Sequence, residues 1–194
     1  MRIRSVLVLA LAALLLGGCA TTFGEGRKAL RQGRYADAAT RFEEVLAKDP
    51  DRLDALVGLG IAKYRAGSFD EAIDALGRAV AREPKFDLAQ LYLGLARLRK
   101  GDLGPVEQEF KAIVAQRPGT RLAAQLDRAL ALLRGPDPAS EELRTFIAAS
   151  LESESEAERE IADARREARN AELRWRDPYW YGGYPYFLRT CRRC

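Results

Sequence analysis

Few side chains in this 194-residue chain are equipped for chemistry, and their placement argues against catalysis. Cysteine occurs only at Cys19, Cys191 and Cys194, and histidine does not occur. Without histidine there is no Ser-His or Cys-His nucleophile pair, no imidazole base and no His-ligated metal site. Cys191-Arg192-Arg193-Cys194 has the CxxC spacing of redox and zinc motifs. A redox pair needs a helix start after a strand to depress the thiolate pKa, and a zinc site needs two further ligands. Neither pattern surrounds it, so a local or intermolecular disulfide is the modest reading. Glutamates cluster at Glu152, Glu154, Glu156, Glu158 and Glu160, followed by Arg165, Arg166 and Arg169. Paired carboxylates can do acid-base work or hold a metal, but without a cleft or histidine this run reads as a solvated helical face. No enzyme activity, metal or cofactor is expected. The net charge of +4 mixes both signs, which gives no case for a nucleic-acid partner. At 47% apolar and 31% charged, the composition is that of a charge-rich helical globular protein.

The amino terminus speaks about place. Arg2 and Arg4 precede an apolar run from Ser5 to Leu16, too short to span a bilayer comfortably. The run ends in Leu16-Gly17-Gly18-Cys19, and two small residues before a cysteine resemble the lipobox of bacterial lipoproteins. That resemblance implies a signal peptide over residues 1–18, cleavage before Cys19, and a covalent lipid on Cys19. More than one acyl chain anchors a protein stably. Ala20, rather than Asp, follows the cysteine, which by analogy with Gram-negative sorting implies the periplasmic face of the outer membrane. In that oxidising compartment Cys191 and Cys194 can pair. An ordinary secretory signal with an incidental cysteine is the alternative.

The elements behind these groups repeat with a period of 34 residues. Gly33, Gly67 and Gly101 keep that step, as do Pro50, Pro84 and Pro118, and Gly26, Gly60 and Gly94. Tyr35, Phe69 and Leu103, then Phe42, Leu76 and Phe110, then Ala38, Ala72 and Val106 add three apolar columns. Each unit reads as helix, turn, helix. In the middle unit Leu56, Leu59, Gly60 and Tyr64 share one helical face, and Gly67 ends the helix. Ser68 with Glu71 is placed for a capping box; Ala72, Leu76, Ala79 and Val80 form the next buried face before Pro84. Leu56-Leu59-Gly60…Gly67…Phe69…Ala72…Leu76…Ala79…Pro84 is similar to the signature of the tetratricopeptide repeat (TPR) family. The third unit departs from it with Pro105, tolerated early in a helix, and with Val106. The resemblance implies an all-α fold: a TPR helix-turn-helix solenoid over residues 19–120, with three repeats of which the first is partial. A stripe of Leu122, Leu126, Ala129, Leu130 and Leu133 over residues 121–134 predicts the capping helix that a solenoid end requires.

TPR proteins generally bind peptides or partner helices in a concave groove lined by the first helix of each repeat. Carried across by column, that groove holds Phe23 and Arg27, Val57 and Ile61, and Leu91 and Leu95. Tyr64 and Leu98, with Arg31, Arg65 and Arg99, complete its rim. The columns that clamp a terminal carboxylate in some members hold Gly58, Ile61, Tyr92 and Leu95, so that clamp is missing. An apolar floor with arginines at its edge suits an amphipathic or apolar segment with acidic flanks. The same floor is equally suited to cover by the chain's own C-terminal helix.

Beyond Gly135-Pro136, Asp137 and Pro138 predict the start of a long charged helix over 137–175. Its apolar seam runs through Leu143, Ile147, Ser150, Glu154, Ala157, Ile161, Ala164, Ala168, Ala171 and Trp175. The seam is thin: a solvated extension and pairing with a second helix both remain readings. The segment 176–194 is predicted as an irregular aromatic and basic tail, carrying Tyr179, Trp180, Tyr181, Tyr184, Tyr186 and Phe187 among prolines and glycines. Such rings suit contact with a lipid interface, a glycan or a protein pocket. These features together predict a non-enzymatic, lipid-anchored adaptor for protein partners in a bacterial envelope complex, serving outer-membrane assembly, pilus or secretion, or cell-wall machinery. The alternative is a peptidoglycan-, glycan- or membrane-surface-binding module that acts through the tail.

Overall fold

The computed structural model describes residues 21–135 and 140–175, all helical apart from short turns. The expected helix start at Asp137 and Pro138 lies outside these residues, as do Cys19, the aromatic residues Tyr179 to Phe187, Cys191 and Cys194. Helix α1 covers residues 21–31, followed by α2 (Tyr35–Leu46), α3 (Leu53–Arg65), α4 (Phe69–Arg82), α5 (Asp87–Lys100), α6 (Leu103–Gln116), α7 (Arg121–Leu133) and α8 (Glu141–Trp175). The chain divides into two compact units, Met1–Ser150 and Leu151–Cys194. The first holds the repeats. No helix among the described residues is long and apolar enough to cross a membrane.

The glycine at the end of each leading helix is there because the turn requires it. Gly33, Gly67 and Gly101 have φ of 73°, 83° and 91°, in the left-handed region that penalises any Cβ. Each sits in the same double-bonded C-terminal cap. In the middle repeat, the Gly67 N–H donates to the Tyr64 carbonyl at 3.0 Å and the Ser68 N–H to the Lys63 carbonyl at 2.9 Å. The pair recurs as Gly33 to Leu30 with Arg34 to Ala29, and as Gly101 to Leu98 with Asp102 to Arg97. This is the 6→1 and 5→2 pattern of a Schellman motif, which satisfies carbonyls the helix leaves open.

The expected capping box does not form: Ser68 makes no side-chain capping bond to α4. The Glu71 carboxylate that would complete the box instead reaches the Lys63 ammonium at 2.6 Å, and Lys63 also pairs with Glu43 at 2.9 Å. A charge-assisted pair competes successfully for that carboxylate. Helices α2, α3, α5 and α6 likewise open without a side-chain capping bond. Side-chain caps do appear further on, where Thr120 Oγ1 accepts from the Ala123 N–H at 3.1 Å to open α7. Ser140 Oγ accepts from the Leu143 N–H at 3.2 Å to open α8 at Glu141.

Within the solenoid, a large residue on each second helix fills the space left by a glycine on a first helix. A Cβ at Gly58 would lie 2.6 Å from the Phe42 ring, and one at Gly94 would lie 2.5 Å from the Phe110 ring. A Cβ at Gly60 would collide with Leu76. Phe42, Leu76 and Phe110 are fully buried as a result. The helices thus approach more closely than alanine would permit. Gly94→Ala should lower stability by about 1–2 kcal/mol, overpacking outweighing the gain of about 1 kcal/mol in helix propensity. Gly77→Ala in α4, where an added methyl meets nothing within 4 Å, should raise stability by up to about 1 kcal/mol. Urea unfolding followed by helicity checks this; shifts of the same sign in both variants would contradict the packing account.

Candidate functional site

The expected groove residues lie on the first helix of each repeat, with α3 and α5 carrying most of them. On α3, Val57, Ile61 and Tyr64 fall at i, i+4 and i+7, and on α5 Leu91, Leu95 and Leu98 repeat that spacing 34 residues on. The two helices meet through an edge-on contact of Tyr64 and Tyr92, with ring centroids 5.5 Å apart. Phe69 packs against Tyr64 at 6.0 Å. Tyr64 is thus the residue of the expected floor whose ring bridges α3 to both α5 and Phe69.

Its environment differs from that of an open groove. Ile61 is 8% exposed, Leu91 1%, and Leu95 and Leu98 0%. Helix α5 is buried all round, from Ala89 through Ala96 and at Leu98. The rim is also less free than three parallel arginines would be. Arg31 is exposed, but Arg65 is half-buried and Arg99 lies 5.2 Å over the Phe69 ring. A guanidinium over an aromatic face is held by the ring's quadrupole. Phe23, at the edge of the floor by column, packs on Phe42 at 5.7 Å, with the Arg52 guanidinium 4.6 Å above its ring. It is part of the packing between α1, α2 and the start of α3. Arg27 is exposed.

A second pattern lies outside the apolar columns. Lys63 and Arg97 are also 34 residues apart, and each holds a carboxylate of a neighbouring helix. Lys63 bridges Glu43 of α2 and Glu71 of α4. Those contacts, Glu71 first and then Glu43, hold its ammonium above its ordinary pKa. Arg97 pairs with Glu109 of α6. The shared step was the available signal; the carboxylates occupy different columns, so the pairs themselves had none.

A cleft of about 440 Å³ between α1 and α2 is lined by Glu25, Lys28, Arg34, Asp37, Arg41 and Glu44. Most of its charges are paired with one another, Arg34 to Asp37 at 2.8 Å and Arg41 to Glu44 at 3.1 Å and Glu25 at 3.5 Å. Nothing in it is poised for chemistry. Among the described residues, no group of three or more carboxylate, cysteine or histidine side chains is placed to hold a metal ion.

The family evidence agrees with this geometry. Residues 29–98 match the family model of the tetratricopeptide repeat. Over residues 29–98 the repeats are of the TPR type. Solved structures similar to it include the first TPR of Spaghetti (RPAP3) bound to an HSP90 peptide, at 20% identity and a TM-score of 0.52, covering 58% of this chain and 93% of that one. The second TPR domain of human RPAP3, in complex with an HSP70 peptide, is 19% identical with a TM-score of 0.54, covering 60% and 95%. A mutant O-GlcNAc transferase from Thermobaculum terrenum is 21% identical with a TM-score of 0.55, covering 70% of this chain and 26% of that one. At such identities the likeness is one of fold. No curated protein matches the sequence.

Within the TPR array, Glu109 is the group whose ionisation departs most usefully from the ordinary. Burial between α5 and α6 pushes its carboxyl up from 4.5 to about 7, opposed by Arg97 and assisted by Asp102. A carboxyl with a raised folded pKa binds its proton more tightly in the folded state than in the unfolded one. Its contribution is most favourable below about pH 4.5 and declines as pH rises through about 7. Glu109→Gln, which keeps the shape and removes the titration, should therefore gain on the wild type between pH 5 and pH 8. Thermal melts at the two pH values measure this, and a wild-type-to-variant difference independent of pH would contradict it.

Proposed function

We propose that this chain is a non-enzymatic TPR adaptor, lipid-anchored through Cys19, that mediates protein–protein contacts in a bacterial envelope complex. The observation that carries the proposal is the apolar floor of Val57, Ile61, Leu91, Leu95 and Leu98 on the inner helices, aligned across repeats by Tyr64 and Tyr92. Solenoids of this kind present extended concave surfaces, and a contiguous apolar stripe there matches an amphipathic partner helix better than a small polar substrate. Two of the solved domains with the same fold hold peptides, which supports a peptide or helix as the partner class. Arg31, exposed at the edge of the floor, favours acidic flanks on that partner.

Leu16-Gly17-Gly18-Cys19 and the following Ala20 support an outer-membrane location facing the periplasm. The array begins within a few residues of Cys19, which favours a partner in or close to the membrane. Outer-membrane assembly, pilus or secretion, and cell-wall machinery all offer such partners. The aromatic tail from Tyr179 to Phe187 supports a second reading, in which the tail binds peptidoglycan or another glycan and the repeats hold it in place.

Crosslinked co-purification of tagged protein from membranes, beside a Cys19→Ser variant and a chain ending at Arg174, tests the proposal. The wild type should fractionate with outer membranes and capture a discrete membrane-proximal protein. Cys19→Ser should become soluble, and the shortened chain should keep its protein partner. A Cys19→Ser protein still in the membrane would contradict the lipid anchor. Loss of cell-wall retention on shortening, with no protein captured by either form, would favour the glycan reading over the adaptor.

A further inference from the structure

The concave floor is apolar, yet it is closed. Leu95 and Leu98 are 0% exposed; α4 and α6 pack against α5, Phe110 fills the space at Gly94, and α3 meets α5 through Tyr64 and Tyr92. A helix buried all round needs another layer over its remaining face. The same compact unit contains two further apolar faces: that of α7, from Leu122 to Leu130, which packs against α6, and that on the opening turns of α8. Ile147 is 2% exposed and Ala148 0%, whereas Phe146 beside them is 67% exposed. Burial on α8 is thus one-sided. Arg144, one turn before Ala148 on that face, brings its guanidinium to 3.5 Å from where a Gly101 Cβ would stand, immediately beyond the last turn of α5 that carries Leu98. Gly101 thus ties the start of α8 to the end of the floor.

We infer that the opening turns of α8, from Arg144 to Ala148, are a built-in occupant of the concave groove, seated on the floor of α3 and α5 through Ile147 and Ala148. The inference deepens the adaptor reading and rests on it for its consequence: a partner gains the groove by displacing this segment. The partner that can do so is a helix presenting its own apolar pair in place of Ile147 and Ala148. Its apparent affinity is lowered by the fraction of molecules in which the segment is seated. Displacement also leaves α8 free to report occupancy of the groove.

The test uses the full chain with Cys19→Ser. Ile147→Met is a near volume-conserving exchange that the packing tolerates, and Met1 is the only methionine of the native sequence. Photo-methionine incorporated at position 147 therefore labels one internal site, and the same label through Phe146→Met serves as an outward-facing control. On irradiation at high dilution, position 147 should crosslink within the molecule to the tryptic peptides 53–63 of α3 or 86–97 of α5. Position 146 should give several-fold less of these products. Crosslinks from 147 confined to α1, α2 or α7, products found only between molecules, or equal yields from 146 and 147 would overturn the inference. None of these readouts depends on a partner, so a failed adaptor reading would leave the crosslinking result standing.

Discussion

The solenoid depends on the absence of side chains at three helix crossings. Gly58, Gly60 and Gly94 leave hollows that Phe42, Leu76 and Phe110 fill from neighbouring helices. Helices bearing Cβ atoms at these points would stand further apart, and the large residues would lose the close contact on which dispersion depends. The left-handed glycines at the turns serve the same end, since they return the chain at an angle that brings each second helix back onto its first. Gly26 meets Phe42 as well, so the partial first repeat is tied into the array by the same device.

Close packing of the second helices has a consequence for the first ones. With α2, α4 and α6 spent on the hollows, the outward columns of α3 and α5 are free to be uniformly apolar. Tyr64, Tyr92 and Phe69 then form a continuous aromatic bridge between repeats. The charged groups follow from the same geometry. Lys63 and Arg97 sit where helices crowd, and each is compensated by carboxylates from adjacent helices. Partly buried pairs of this kind contribute more to register than to net stability, because desolvation offsets much of their attraction. Function and fold therefore compete for the same surface: an apolar floor that suits a partner is costly to leave in water.

Much of this was legible in the sequence, for physical reasons. Glycine at Gly33, Gly67 and Gly101 marks positive φ, proline at Pro50, Pro84 and Pro118 marks helix exits, and the 34-residue phase ties the two together. Columns of apolar residues identify which helical face is buried, but not what covers it, so the closed state of Leu91, Leu95 and Leu98 could not be read. Ser68 and Glu71 have the spacing of a capping box, yet local spacing carries no knowledge of Lys63 arriving from the preceding helix. Arg31, Arg65 and Arg99 share one column, yet Arg99 stacks on Phe69, a contact set by the aromatic column rather than by charge. The seam of α8 was legible only at Ile147 and Glu154; Ala148, Leu151 and Ser155 beside it are buried too, and its later positions are not, every residue from 160 to 171 being exposed. Alanine at Ala164, Ala168 and Ala171 is compatible with either environment.

The central claim is that an apolar TPR floor is kept out of water by the chain itself. Amide hydrogen exchange across the full Cys19→Ser chain measures this most directly, because protection follows the free energy of local opening. The account predicts that amides from Arg144 to Ser150 are protected to a degree approaching that of α3 and α5, while those of residues 160–171 exchange rapidly. Exchange over 144–150 as fast as over 160–171, with α3 and α5 still protected, would contradict it.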